Sequence, residues 1–282
     1  MLFPTVLAPL PTPFDAGLLP DSARLVNLGR RLADRGVGLV PFGTTGEGPS
    51  LSFHEKRSLL DAMAKAELTG PSTIVGAGSC VADEVVALSH HAIRLGCGGV
   101  LLLPPFYFKG VTEDGLFAFF ARAIDRILAA PQGERLRVYL YNFPRQSGVA
   151  VTASLVTRLA RAYPAIIAGI KDSSGDLDTL LAVGRACPDV ALLTGQARLL
   201  PALNQAVGAR AGCISGYANL VDPTDAAGTD HIRAALAGRP ATVAIKAALA
   251  ILEDDPAWAI VRPPLAELDE TAVAAIRTAL RV

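Results

Sequence analysis

The chain carries five lysines among its 26 basic residues, leaving 21 arginines, and the settings of those lysines differ in ways that bear on chemistry. Lys56 and Lys65 fall on a polar helix face, where a solvated ammonium is expected. Lys109 sits in a polar turn beside Gly110, and Lys246, in Val-Ala-Ile-Lys-Ala-Ala, reads as a side chain snorkelling from a helix. Lys171 alone ends a fully apolar run, Ala-Ile-Ile-Ala-Gly-Ile-Lys. A buried ammonium is costly, so such a lysine either pairs with an acid such as Asp172 or is kept as a neutral amine. A neutral amine adds to a carbonyl carbon and forms a Schiff base. The run itself is compatible with both readings.

Two other groups are compatible with chemistry of that kind. In Gly43-Thr44-Thr45-Gly46-Glu47 two glycines allow a tight turn that exposes backbone N–H groups beside two hydroxyls. Such a nest suits a small anion, although an ordinary strand-to-helix turn is spelled the same way. Tyr141 closes the apolar run that precedes the one ending in Lys171, where a phenol either shuttles a proton or fills space. Metal chemistry is not expected. Cys80, Cys97, Cys187 and Cys213 form no short pair and read as reduced core thiols, and the adjacent His90 and His91 diverge by about 100° on a helix.

These groups need a scaffold, and the apolar runs supply it. Strands are expected at Thr5–Leu10, Val37–Phe42, Thr73–Ala77, Gly99–Leu103, Arg137–Tyr141, Ile166–Lys171, Val190–Thr194 and Arg210–Ile214. Several are continuously apolar, the mark of strands buried on both faces. Helical spacing fills the intervals at Asp21–Arg35, Ser52–Leu68, Ala82–Leu95, Thr112–Ala130, Thr152–Ala162, Leu177–Ala186 and Ala197–Val207. Ser52 with Glu55 spells a capping box, and Thr152 a cap. Eight strands alternating with helices, with no Gly-x-Gly-x-x-Gly after the first, predict an α/β fold: a (β/α)8 TIM barrel over residues 1–220. Helices at Pro223–Leu236, Ala241–Leu252 and Leu268–Leu280 then form a C-terminal helical extension of the same unit, residues 221–282. In parallel barrels reactive side chains gather at the C-terminal strand ends, which is where Glu47, Tyr141 and Lys171 fall in sequence.

Composition narrows the function classes. Of 282 residues, 51% are hydrophobic and 18% charged, the reverse of a disordered chain. Zero net charge and the lack of a basic stripe argue against a nucleic-acid partner. No stretch reaches the ~18 apolar residues of a membrane span, and the N-terminus has no basic leader, so no membrane partner and a cytoplasmic place are expected. The aromatic run Phe106, Tyr107 and Phe108 beside Gly110 suits either an interface with another subunit or a loop folded on its own barrel.

Taken in order, GTTGE, the Tyr141-Asn-x-Pro motif and the GIKD around Lys171 resemble the dihydrodipicolinate synthase / N-acetylneuraminate lyase family of class I, pyruvate-dependent aldolases. The resemblance implies a homotetramer built as a dimer of dimers that needs no metal or organic cofactor. It implies that Lys171 is the Schiff-base lysine, that Tyr141 transfers protons, and that Gly43, Thr44 and Thr45 hold the pyruvyl carboxylate. It further implies that Tyr107 is lent across a subunit interface to a relay with Thr44, and that the Ile214 carbonyl faces the pyruvate. Substrate signatures depart from the family's. Synthases carry an arginine five residues after the tyrosine; here Gln146 stands there and Arg145 one place earlier. Sialic-acid lyases carry an acid after strand seven, where this chain has Ala197. The expected activity is therefore joining or cleaving pyruvate and an aldehyde, with a 2-keto-3-deoxy acid type substrate. The alternatives are 4-hydroxy-tetrahydrodipicolinate synthase acting on aspartate semialdehyde, and a non-catalytic pyruvate-binding barrel.

Overall fold

The strand and helix signals are realised one for one in the computed structural model, which describes residues 4–222 and 225–280. The strands are β1 (Val6–Pro9), β2 (Gly38–Val40), β3 (Ile74–Gly76), β4 (Gly99–Leu102), β5 (Val138–Asn142), β6 (Ile167–Asp172), β7 (Ala191–Thr194) and β8 (Ala211–Ile214). The helices are α1 (Ser22–Asp34), α2 (Phe53–Lys65), α3 (Ala82–Arg94), α4 (Glu113–Leu128), α5 (Pro144–Ser147), α6 (Ala153–Ala162), α7 (Leu177–Ala186) and α8 (Leu200–Val207), followed by α9 (Ala226–Leu236), α10 (Ala241–Leu252) and α11 (Glu270–Leu280). Every strand pairing is parallel, and strand follows helix in the (β/α)8 order. Sequence periodicity missed α5, a single turn too short to show a 3.6-residue repeat. Pro223 and Thr224, expected to open α9, lie outside the described residues.

Helix starts obey local chemistry. Ser52 Oγ accepts the Glu55 N–H while the Glu55 carboxylate accepts the Ser52 N–H, the reciprocal box that fixes the entry to α2. Asp21, Thr112, Thr152, Asp176 and Asp225 cap α1, α4, α6, α7 and α9 with a side-chain oxygen alone, which accepts a backbone N–H of the first turn. Each such cap stabilises its helix by about 1 kcal/mol.

The chain groups into two compact units. One comprises Met1–Thr5 and Thr69–Ile214, and in it β3 to β8 run in sequence order across the sheet. All strand residues but Ala168 are buried, with Leu101, Phe120, Ile124, Leu140, Leu155 and Leu192 among the core. The Tyr139 ring lies across its neighbours on both sides: a Cβ on Gly99 or Gly169 would come within 2.8 or 2.6 Å of it, so only glycine fits beside it. The other unit comprises Val6–Leu68 and Ser215–Val282, so the helices after β8 belong with the first two strand–helix repeats. Within it α10 is buried nearly all round. Among the described residues no single helix is long and apolar enough to cross a membrane.

Candidate active site

In the first unit the parallel register of β5 and β6 sets Tyr141 beside Lys171 and Asn142 beside Asp172. Because strand side chains alternate between faces, Tyr141 and Lys171 share one side and Asn142 and Asp172 the other. The Lys171 side chain is 4% exposed, and its Nζ lies 4.2 Å from the centroid of the Tyr141 ring. Tyr141 is itself buried and stacks on Phe143, with centroids 6.0 Å apart and planes inclined by 25°. Its hydroxyl lies 3.5 Å from Ser173 Oγ. Cys213, on β8, is also close enough to feel Lys171; burial pushes its thiol up to about 12, with Lys171 opposing.

Of the two readings of Lys171, the ion pair with Asp172 is not formed. The Asp172 carboxylate is taken up on the other face: Oδ2 accepts from Asn142 Nδ2 at 2.6 Å, and Oδ1 accepts from the Ser174 N–H at 2.9 Å and its hydroxyl at 2.6 Å. Asn142 Oδ1 in turn accepts the Val151 N–H at 2.9 Å. Among the described residues no carboxylate forms an ion pair with Lys171. The buried Lys171 amine therefore lies over the Tyr141 ring, with the flanking acid turned to the other face.

Ile214 closes β8 in the same unit and is buried. Arg145 and Gln146 are exposed on α5. Tyr107 and Phe108 are the most exposed large hydrophobic residues described, at 76% and 72%, and meet edge to face at 5.2 Å. Lys109 ties their loop to α5 by donating to the carbonyls of Phe106 and Ser147.

In the second unit the GTTGE loop follows β2. Gly43 is buried, and Thr44 and Thr45 are half-buried. The turn is compact because the backbone folds onto itself: Gly48 N–H donates to the Gly43 carbonyl, and a Cβ on Gly48 would lie 2.1 Å from the Phe42 carbonyl. Glu47 adopts a left-handed conformation, φ 52°, and is buried. Its carboxylate accepts from Lys246 Nζ at 2.6 Å and from the Arg262 N–H at 3.0 Å. Lys246 is fully buried on α10, donates also to the Thr12 carbonyl at 2.9 Å, and sits 4.4 Å from the Phe14 ring centroid. Burial pulls its ammonium below the usual lysine value, and Glu47 holds it up.

Three lysine and cysteine expectations are corrected. Lys246 does not snorkel, because α10 has no wet face toward which its stem can run. Lys56 is buried and not solvated. Cys80 is exposed and not a core thiol, its Sγ accepting the Phe106 N–H at 3.3 Å. Sequence reasoning also passed over the Asn142–Asp172 and Glu47–Lys246 pairs. The available signal was a lysine in a helix apolar on every side, which requires an acid from elsewhere in the chain.

Comparison with known proteins identifies the family. Residues 2–228 match the family model of the dihydrodipicolinate synthetase family. The chain belongs to that family. A DapA-like lyase of uncharacterised activity from Chloroflexus aurantiacus is 34% identical, over 97% of this chain and 95% of its own. The crystal structure of dihydrodipicolinate synthase from Agrobacterium tumefaciens C58 superposes with a TM-score of 0.89 at 29% identity, covering 98% of both chains. YagE, a prophage protein of the dihydrodipicolinic acid synthase family from E. coli K12 solved in complex with pyruvate, gives 0.85 at 26% identity, covering 100% of this chain and 98% of YagE. The eight parallel strands and their helices are thus a (β/α)8 barrel with a C-terminal helical part, and the protein is a lyase of this family.

Proposed function

We propose that the protein is a class I aldolase that joins or cleaves pyruvate and an aldehyde through an imine on Lys171. The observation that carries this reading is the buried Lys171 amine over the Tyr141 ring, with Asp172 committed to Asn142 and Ser174. In the synthetic direction the amine attacks C2 of pyruvate and water leaves. Loss of a methyl proton gives the enamine, whose carbon attacks the aldehyde, and hydrolysis returns the free amine. Tyr141 moves the protons of the addition and elimination steps. The family motif assigns the pyruvyl carboxylate to Thr44 and Thr45 beside Gly43, and the Ile214 carbonyl to the pyruvate. YagE, which holds pyruvate, supports that first substrate.

For the aldehyde, a bidentate arginine is what a carboxylate-bearing partner wants, and Gln146 occupies that sequence place. This favours a neutral or hydroxylated aldehyde, and hence a 2-keto-3-deoxy acid as product. The exposed Arg145 supports the second reading, aspartate semialdehyde, only if it turns inward when substrate binds. A homotetramer suits the exposed Tyr107 and Phe108, the former lent to a neighbouring subunit's Thr44. Borohydride reduction in the presence of pyruvate should add one pyruvyl mass at Lys171, and kcat/KM should favour glyceraldehyde over aspartate semialdehyde. No label, or label at another lysine, refutes the mechanism; a tenfold preference for aspartate semialdehyde lost in Arg145→Ala refutes the substrate.

A further inference from the structure

The most deeply buried charged side chain of the second unit is Lys246, far in sequence from any motif quoted above, and its surroundings lead back to the GTTGE loop. Every polar contact it makes serves that loop or the strand end beside it. Its Nζ holds the Glu47 carboxylate and the Thr12 carbonyl, while the Thr12 hydroxyl donates to the Gly46 carbonyl at 2.7 Å. One turn earlier on α10, Thr242 Oγ1 donates to the Thr44 carbonyl at 3.2 Å, and the Glu47 N–H donates to the same oxygen at 3.1 Å. Helix α10 therefore grips the loop at Thr44 and at Glu47.

That grip has a geometric consequence. The carbonyl of Thr44 and the N–H of Thr45 belong to one planar trans peptide and point in opposite directions. Anchoring the carbonyl on Thr242 turns the Thr45 N–H to the side away from that hydroxyl. Among the described residues nothing accepts the Thr45 N–H or its hydroxyl hydrogen. An N–H fixed in direction and a free hydroxyl on one residue, both left unused by the fold, suit an anion.

We infer that Thr242 and Lys246 are positioning residues that orient Thr45 for the substrate carboxylate. The inference rests on the reading of the GTTGE loop as the carboxylate site. It gives the C-terminal helical part a role in substrate affinity, separate from the amine chemistry of Lys171.

The test uses the full chain and measures the pyruvate concentration that half-saturates borohydride labelling of Lys171. Thr242→Val keeps shape and removes the hydroxyl; half-saturation should rise about threefold to tenfold, the range of one lost hydrogen bond. The plateau of labelling and kcat should stay near wild type. Thr242→Ser, which keeps the hydroxyl, should restore the wild-type value, a rescue that a packing role does not give. Lys246→Met should raise half-saturation tenfold or more; if it fails to fold, the two Thr242 variants decide. A wild-type chain that takes no label refutes the imine and this inference together. A wild-type chain labelled at Lys171, with unchanged half-saturation in Thr242→Val or an equal rise in Thr242→Ser, overturns the positioning role alone.

Discussion

Asp172→Asn is the substitution from which the pair on β5 and β6 can be judged most sharply. It keeps Oδ1 for the Ser174 N–H and hydroxyl but places an NH2 group against the Asn142 NH2, 2.6 Å away in the native pair. Flipping the Asn142 amide does not help, because its other end then turns a donor on the Val151 N–H. Either way one buried donor loses its acceptor. A hydrogen bond to a charged group contributes about 1.5–3 kcal/mol, so a loss of about 2–4 kcal/mol is expected. At roughly 2–4 °C per kcal/mol, Tm should fall by about 4–16 °C. Exchanging the two residues, Asn142→Asp with Asp172→Asn, returns an acceptor to both Val151 and position 172 and leaves Ser174 served. The double variant should therefore recover most of the lost stability, read as a coupling of about 1–3 kcal/mol by calorimetry or urea unfolding of the four chains. If the exchange is no more stable than Asp172→Asn alone, the pair does not hold the strand ends as argued.

Tyr141→Phe keeps the ring over the Lys171 amine and removes the proton donor, so turnover should fall by about 10²–10⁴ with Tm little changed; full kcat would reduce the tyrosine to packing. The Arg262 guanidinium, with help from Ser52, lowers the Glu55 carboxyl from 4.5 to about 2. A depressed carboxyl contributes stability that is complete above its unfolded value and lost as pH falls toward the folded one. The stability gap between wild type and Glu55→Gln should thus be constant near neutrality and close between about 4.5 and about 2. Replacing both Tyr107 and Phe108 by alanine should shift light scattering toward a smaller species; an unchanged mass would remove the aromatic loop from the assembly.

The strands, the caps at Ser52 and Thr152 and the place of Lys171 at the end of an apolar run are legible in the sequence, because these are local. Unbroken apolar runs declare strands buried on both faces, Ser52 and Glu55 are three residues apart, and a lysine ending AIIAGI differs from lysines among polar neighbours. The same locality explains what was settled elsewhere. Whether Asp172 pairs with Lys171 depended on which face each side chain takes and on Asn142, 30 positions away, standing in register to receive the carboxylate. The partner of Lys246 lies 199 positions earlier in the chain, and helical periodicity carries no trace of it. Burial of Lys56 and exposure of Cys80 follow equally from what packs against them. Apolar pattern and capping are energies of neighbours in sequence; the pairing of buried charge is an energy of neighbours in space, and only the tertiary fold chooses those neighbours.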